Sequence, residues 1–379
     1  MGGPPLHILF FSESPVYGGA EEYVYQVIRA LGNGRFTFTF LHEQGSELGD
    51  FPARLEEAGA RIEKVGKIRG KWDVGGFLRH MQQFRRLSPD IVHFNQSNPY
   101  NQQFSVVAAR CAGVRNLVAS YHLTPKQATG TLSGRCFERL VMRLLSRVLV
   151  CSGQNREEMC GGFPGTDGKV LVMQNGIEDP GPHPAREAEE LKRELGIPEG
   201  KCLISAAGRL TSQKGFGILL DAAALLRRDD IALVIAGEGP ERDELEERAR
   251  QNDLRGRVTF AGFRRDVGKL FWASDLVAIP SFYEGQPFVL LEAMAAGKAV
   301  VASSVYGMRE AVVDGETGML VPPGSAVDLA RALTVLIDDP GLSRKMGRRA
   351  RLRYEEYYTA RNFQENMGRF YLNMAGGKK

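Results

Sequence analysis

Two carboxylates and two cations in the second half of the chain are spaced so that they could hold an activated phosphate ester. In SFYEGQPFVLLEAMAAG, residues 281–297, Glu284 precedes a glycine and Glu292 is the one charged residue in an apolar run closed by Gly297. Upstream, AAGRLTSQKGF puts Arg209 and Lys214 beside what reads as a helix start near Gly215. A guanidinium offers forked hydrogen bonds, an ammonium a point charge and a helix N-terminus unpaired N–H groups, a set suited to a diphosphate. In the first half, SYHLTP places His122 at a strand end, and SPVYGGAEE puts Gly18 and Gly19 at a helix start, where no Cβ blocks the approach of a phosphate or sugar.

Each feature also has an ordinary reading. Loop cations are often merely solvated, paired glycines often make a tight turn, and a lone histidine usually packs or faces solvent. Glu310, in GMREAVVDGETG, reads as first-turn compensation of a helix dipole. Glu292 is different. The run from Phe288 to Ala296 predicts a helix buried nearly all round, where an unpaired carboxylate costs on the order of several kcal/mol. Either a structural partner or ligand hydroxyls must receive it.

These residues need a scaffold that brings loops together. LHILFFS, RFTFTFLH, ARIEKV, DIVHFN, RNLVASYH, RVLVCS and KVLVMQN read as strands, separated by helical patterns such as 20–31, 75–87 and 102–112. The Pro-, Gly- and charge-rich segment 176–201 interrupts the pattern. A second series then follows: CLISAAG, IALVIAG, RVTFAG, LVAIPS, KAVVAS and TGMLVPP. Two doubly wound α/β domains in tandem are expected, and 379 residues exceed the ~250–300 at which single cores stop growing. In such sheets ligands sit beyond the carboxyl ends of the strands, where the loops above lie.

Composition narrows the class. With 43% hydrophobic and 25% charged residues the chain is globular, and its net charge of +4 with interspersed signs gives little support to nucleic acid. Basic residues do gather in EKVGKIRGKW, residues 63–72. Five cysteines without CxxC spacing indicate neither disulfides nor structural zinc, and no D-x-D metal motif occurs. No apolar run reaches the ~20 residues of a membrane span, and a cytoplasmic location is expected.

Taken together, the segments resemble the retaining glycosyltransferases of the GT-B fold, family four. EGQPFVLLEAMAAGKAVVAS matches the family's E-x7-E signature through Glu284 and Glu292, and AAGRLTSQKG, IAGEGP, VTFAG, Gly307 to Glu310, TGMLVPPG, VMQNGI and GGAE are similar to family segments. The resemblance implies an N-terminal acceptor domain over 1–178, a donor domain over 179–357, a last helix (about 358–379) returning to the first domain, and a cleft between the two. It implies a nucleotide-sugar donor, UDP-linked, with no metal or other cofactor, in envelope or extracellular polysaccharide or glycolipid synthesis. Arg209 and Lys214 would bind the diphosphate, Glu292 the ribose, Glu284 the transferred sugar, and backbone at Phe263 and Arg264 the base. Gly18 and Gly19 would approach the phosphate or acceptor and His122 the reacting centre, with Glu284, His122, Arg209 and Lys214 as the catalytic set. Asn175, Gly239, Gly285, Gln286, Pro287 and Phe288 complete the implied donor site. Pro287 stands where many relatives carry glycine, which leaves the sugar open.

The acceptor is an unidentified glycan or lipid-linked hydroxyl. Arg135, Arg139, Arg143 and Arg147 recur at spacing four beside Leu140, Val141, Leu144 and Leu145, a pattern of either a solvated helix or one docking peripherally to anionic membrane. Two rivals to transfer share the architecture: a nucleotide-sugar 2-epimerase and a catalytically silent binding protein.

Overall fold

The computed structural model describes residues 4–32, 34–96, 102–124, 132–181, 183–251 and 254–376, with side chains except at 132–136. The chain forms two compact units, Met1–Asn175 with Ala360–Lys379, and Gly176–Thr359.

In the first unit β1 (Leu6–Ser12), β2 (Phe36–Glu43), β3 (Ala60–Val65), β4 (Ile91–Gln96), β5 (Asn116–Tyr121), β6 (Arg147–Val150) and β7 (Val170–Val172) form a parallel sheet in the order β3-β2-β1-β4-β5-β6-β7. In the second, β8 (Cys202–Ala207), β9 (Ile231–Ala236), β10 (Val258–Gly262), β11 (Leu276–Ile279), β12 (Ala299–Ser303) and β13 (Gly318–Val321) run parallel in the order β10-β9-β8-β11-β12-β13. Parallel sheets are covered by helices on both faces, so their strands read as unbroken apolar runs. β9, IALVIA, is buried at every position for that reason. Right-handed crossovers that start in mid-sheet and reverse leave one gap per sheet, between β1 and β4 and between β8 and β11.

The last helix, Ala360–Gly376, packs on the Gly19–Leu31 helix of the first unit. It buries Phe363, Met367 and Tyr371, and the Tyr371 hydroxyl lies 2.6 Å from His93 Nδ1 while His93 Nε2 lies 2.7 Å from Ser120 Oγ. Burial drives the His93 pKa down to about 3, so the ring is a neutral link in this core. Tyr358 and Thr359, just before this helix, belong to the second unit: Tyr358 is buried in its core and Thr359 bridges Ile177.

The arginine-rich Leu132–Leu144 helix lies in the first unit. Val141 and Leu145 are fully buried in the core of the first unit, whereas Arg139, Arg143 and Arg147 are exposed. Val141 and Leu145 are thus spent on that core, while Leu140 stays 46% exposed and Leu144 is half-buried; the side chain of Arg135 lies outside the described residues.

Candidate functional site

β8 and β11 flank the gap in the second sheet, and their carboxyl ends carry the residues singled out by chemistry. After β8 the chain runs through Arg209 to a single 3-10 turn, Ser212–Lys214, and then into the Phe216–Leu226 helix. After β11 comes the Glu284 loop and the Phe288–Ala295 helix. The two loops are tied together by Phe282 N donating to Gln213 O at 2.8 Å and Gln213 Nε2 donating to Tyr283 O at 3.0 Å.

That clamp sets Lys214 Nζ 2.5 Å from Glu284 Oε1, which also accepts the Ser281 hydroxyl at 2.9 Å. Glu284 is 6% exposed, so it is the nearly buried carboxylate of this region and Lys214 its compensation. No hydrogen bond to its other oxygen, Oε2, forms among the described residues, which leaves an acceptor for a ligand hydroxyl. Lys214 keeps N–H donors beyond the one spent on Glu284. Phe216, Ile279 and Ser281 line the same narrow pocket with this pair. Arg209 is exposed and makes no ion pair among the described residues.

Two glycines allow the approach. Gly215 sits at φ +67°, a left-handed value that costs other residues energy, and a Cβ there would lie 2.2 Å from Pro280 O. A Cβ at Gly307 would lie 1.7 Å from Gly285 O, so the Tyr306–Ala311 helix can lie against the Glu284 loop only without one. Gly239 plays a similar part: its Cβ would strike Leu210 O at 2.3 Å, so it seats the loop carrying Arg209.

Glu292 departs from expectation. It is half-buried, has a partner, and shares with Phe288 and Val289 the open face of its helix, while Leu290, Leu291, Ala293, Met294 and Ala295 face the core. Residues three and four apart share a face, and this one is only partly buried, with Phe288 and Val289 still packed against the core. The penalty argued for Glu292 therefore belongs to Glu284. Pro287 precedes the helix as its N-cap with φ −73°, and Gln286 is buried with a partner. Glu310 stands near the end of its six-residue helix, not in the first turn, so dipole compensation does not account for it. Phe263 is 59% exposed after β10; the Arg264 side chain is spent on Asp266 (2.8 and 2.7 Å) and Glu194 (2.8 Å), leaving only its backbone for a ligand.

In the first unit the equivalent gap lies between β1 and β4. Beyond β1, neither Gly18 nor Gly19 has a left-handed φ, and a Cβ at Gly19 would meet nothing within 4 Å. Turn geometry does not require these glycines; Gly19 borders open space, and a Cβ at Gly18 would meet Glu21 Oε2 at an ordinary 3.7 Å. His122 follows β5 and its Nε2 lies 2.7 Å from Asn95 Oδ1, while Asn95 Nδ2 donates to Ala20 O at 2.9 Å. That chain assigns the proton to Nε2 and leaves Nδ1 as an acceptor. Desolvation lowers the His122 pKa to about 4, so the ring is neutral. Asn95 and Ser281 escaped the sequence reading, although both lie at carboxyl ends of strands where such residues were being sought. Asn175 is buried at the chain's passage from one unit to the other.

Residues 17–179 match the model of glycosyltransferase family 4, and residues 187–353 that of glycosyl transferases group 1. The chain is 34% identical over 240 residues to an uncharacterized glycosyltransferase of Methanocaldococcus jannaschii, covering 61% of each. It is 36% identical over 170 residues to the alpha-D-kanosaminyltransferase of Streptomyces kanamyceticus, covering 44% of each. It is 30% identical over 253 residues to the D-inositol 3-phosphate glycosyltransferase of Streptomyces avermitilis, covering 63% of this chain and 53% of that protein. The chain thus spans between 44% and 61% of the length of these relatives. Among solved structures, Anabaena HepE in complex with UDP superposes with a TM-score of 0.84 at 23% identity, over 97% of this chain and all of that one. WaaG, a glycosyltransferase involved in lipopolysaccharide biosynthesis, superposes at 0.77 with 18% identity over 96% and 99%. The fold is that of the GT-B glycosyltransferases, and two glycosyltransferase family models between them match most of the chain's length.

Proposed function

We propose that the protein transfers a sugar from a nucleoside-diphosphate sugar to a hydroxyl acceptor with retention of anomeric configuration, as a family-four enzyme. The observation that carries this reading is the clamp of Lys214, Ser281 and Glu284 at the gap in the second sheet, with Arg209 on the neighbouring loop exposed and in no ion pair among the described residues. Cleavage of the sugar–phosphate bond builds negative charge on the departing diphosphate, and Arg209 and Lys214 supply positive charge there. Glu284 Oε2 accepts a hydroxyl of the transferred sugar, and Glu292, on the open face of its helix, the ribose hydroxyls. His122, neutral and with Nδ1 unprotonated, accepts a hydrogen bond from the sugar near the reacting carbon. The acceptor oxygen attacks on the face the diphosphate leaves, and a diphosphate oxygen takes its proton, so Glu284 orients the donor and need not be a covalent nucleophile.

UDP is the nucleotide proposed, because HepE was crystallised with UDP and with UDP-glucose. The backbone at Phe263 and Arg264 reads the base, and Asn175, Gly239 and residues 285–288 shape the donor site. The positive charge comes from the protein, so activity is expected to survive chelation. The acceptor is a glycan or lipid-linked hydroxyl of an envelope or extracellular polymer, reached from the cytoplasm. The test is incubation with UDP-sugars: free UDP should appear, slowly by hydrolysis and faster with an acceptor, and the product should keep the donor's anomeric configuration. An isomerised sugar still attached to UDP would mean a 2-epimerase. Neither turnover nor UDP affinity would mean a silent scaffold.

A further inference from the structure

The basic segment noted after β3 finds no role in the donor site, and the structure puts it on the surface of the first unit. Trp72 is 84% exposed, Val74 66% and Leu78 42%. Val74 and Leu78 are one helical turn apart on the Val74–Leu87 helix and so share a face, and Trp72 stands immediately before it. Single exposed apolar residues are commonplace, but three large ones within seven positions form a patch.

Its charge says what covers it. Between Lys64 and Arg79 the sequence has five cations and one carboxylate. Arg69 and Lys71 are exposed without ion-pair partners among the described residues, and Lys71 Nζ sits 5.5 Å from the centre of the Trp72 ring. Lys67, 3.8 Å from Glu43, and Arg79, 4.0 Å from Asp73, keep more than half their side-chain surface in water. The lone Asp73 is spent as the helix cap, accepting Gly76 N at 2.8 Å and Arg69 N at 3.0 Å. A second copy of this chain would set cations against cations. A surface that inserts an aromatic and two aliphatic side chains while surrounding them with cations suits the headgroup region of an anionic bilayer.

We infer that Trp72, Val74 and Leu78, ringed by Lys67, Arg69, Lys71 and Arg79, form a docking surface for anionic lipid membrane. The Trp72 ring enters the headgroup layer, where its apolar body and N–H are both satisfied, and the cations reach lipid phosphates. This is a different surface from the arginine helix, whose Val141 and neighbouring Leu145 are buried in the core, and it does not depend on the donor reading.

The chain has two tryptophans, so Trp72 emission is obtained by difference against a Trp72→Phe variant. With vesicles of phosphatidylglycerol and phosphatidylcholine, Trp72 should shift to the blue and become shielded from aqueous quencher. Partition should fall as salt rises. Replacing Lys67, Arg69 and Lys71 with Gln should weaken partition roughly a hundredfold, at about 1 kcal/mol per cation, and Trp72→Ala about tenfold or more. UDP binding and thermal unfolding of these variants in solution should match the parent, which separates failure of this inference from failure of the donor reading. The inference is overturned by absence of binding, by binding that leaves Trp72 quenchable, by equal partition into neutral vesicles, by tighter binding to RNA than to vesicles, or by self-association through the patch.

Discussion

Replacing Lys214 with Met tests the clamp most sharply. Its Nζ lies 2.5 Å from Glu284 Oε1, with side chains 20% and 8% exposed. Removing one member of a buried pair costs about 3–5 kcal/mol because the other charge is stranded; the exposure of Lys214 places this pair lower, at about 2–3 kcal/mol. For a unit of this size that is a fall in Tm on the order of 5–10 °C. Function should fall for a second reason: a cation aimed at a leaving diphosphate contributes about 10²–10³ in rate. Glu284→Gln relieves the stranded charge but loses the carboxylate proposed to grip the sugar. The double variant should therefore recover much of the Tm lost by Lys214→Met while staying as slow as the worse single variant, since groups that act as one unit are not additive. The readouts are calorimetric UDP affinity, UDP release from UDP-glucose, and thermal unfolding. If both single variants bind UDP and turn over like the parent, or if their rate effects simply multiply, the clamp is a structural ion pair and the reasoning fails.

Three further outcomes follow from particular contacts. Gly307→Ala should abolish UDP-sugar binding while the first unit keeps its melting transition, because the new methyl meets Gly285 O at 1.7 Å and must displace the Glu284 loop; scanning calorimetry and titration check this. Burial pushes the Glu138 carboxyl up to about 7 despite hydrogen bonds from Tyr121 and Gln103. A raised pKa gives stability that is present at low pH and lost as pH rises through the folded value, so parent Tm should decline from about pH 5 toward 7 and Glu138→Gln should flatten that decline, by about 2–3 kcal/mol. Tyr371→Phe removes a hydroxyl from buried His93 Nδ1 and should cost about 1–3 kcal/mol, read as a lower melting temperature with UDP affinity unchanged.

Much of the fold was legible because parallel strands carry their own signal. LHILFFS and ARIEKV coincide with β1 and β3, and CLISAAG, IALVIAG and KAVVAS overrun β8, β9 and β12 by one residue. The candidate-site loops stood out for a related reason, since Arg209, Lys214 and Glu284 are polar residues in loops that follow apolar strands. Burial around a helix was not. Composition made Glu292 look enclosed, but an apolar helix end can face a ligand space, and only packing shows which side is open. Sequence spacing likewise could not tell that Val141 and Leu145 are buried while Leu140 stays exposed, and Trp72, Val74 and Leu78 show no periodicity long enough to stand out.

Local periodicity and strand-end chemistry, both carried by neighbouring residues, were enough to settle the two-unit α/β design and to point at the cations and carboxylates of the second unit. Tertiary structure alone decided that Lys214 and Glu284, seventy positions apart, meet over one oxygen, that Asn95 sets the tautomer of His122, and that Glu284 rather than Glu292 is the shielded acid. The reason is that burial and pairing depend on which surfaces the crossovers bring together, and sequence spacing does not encode that distance.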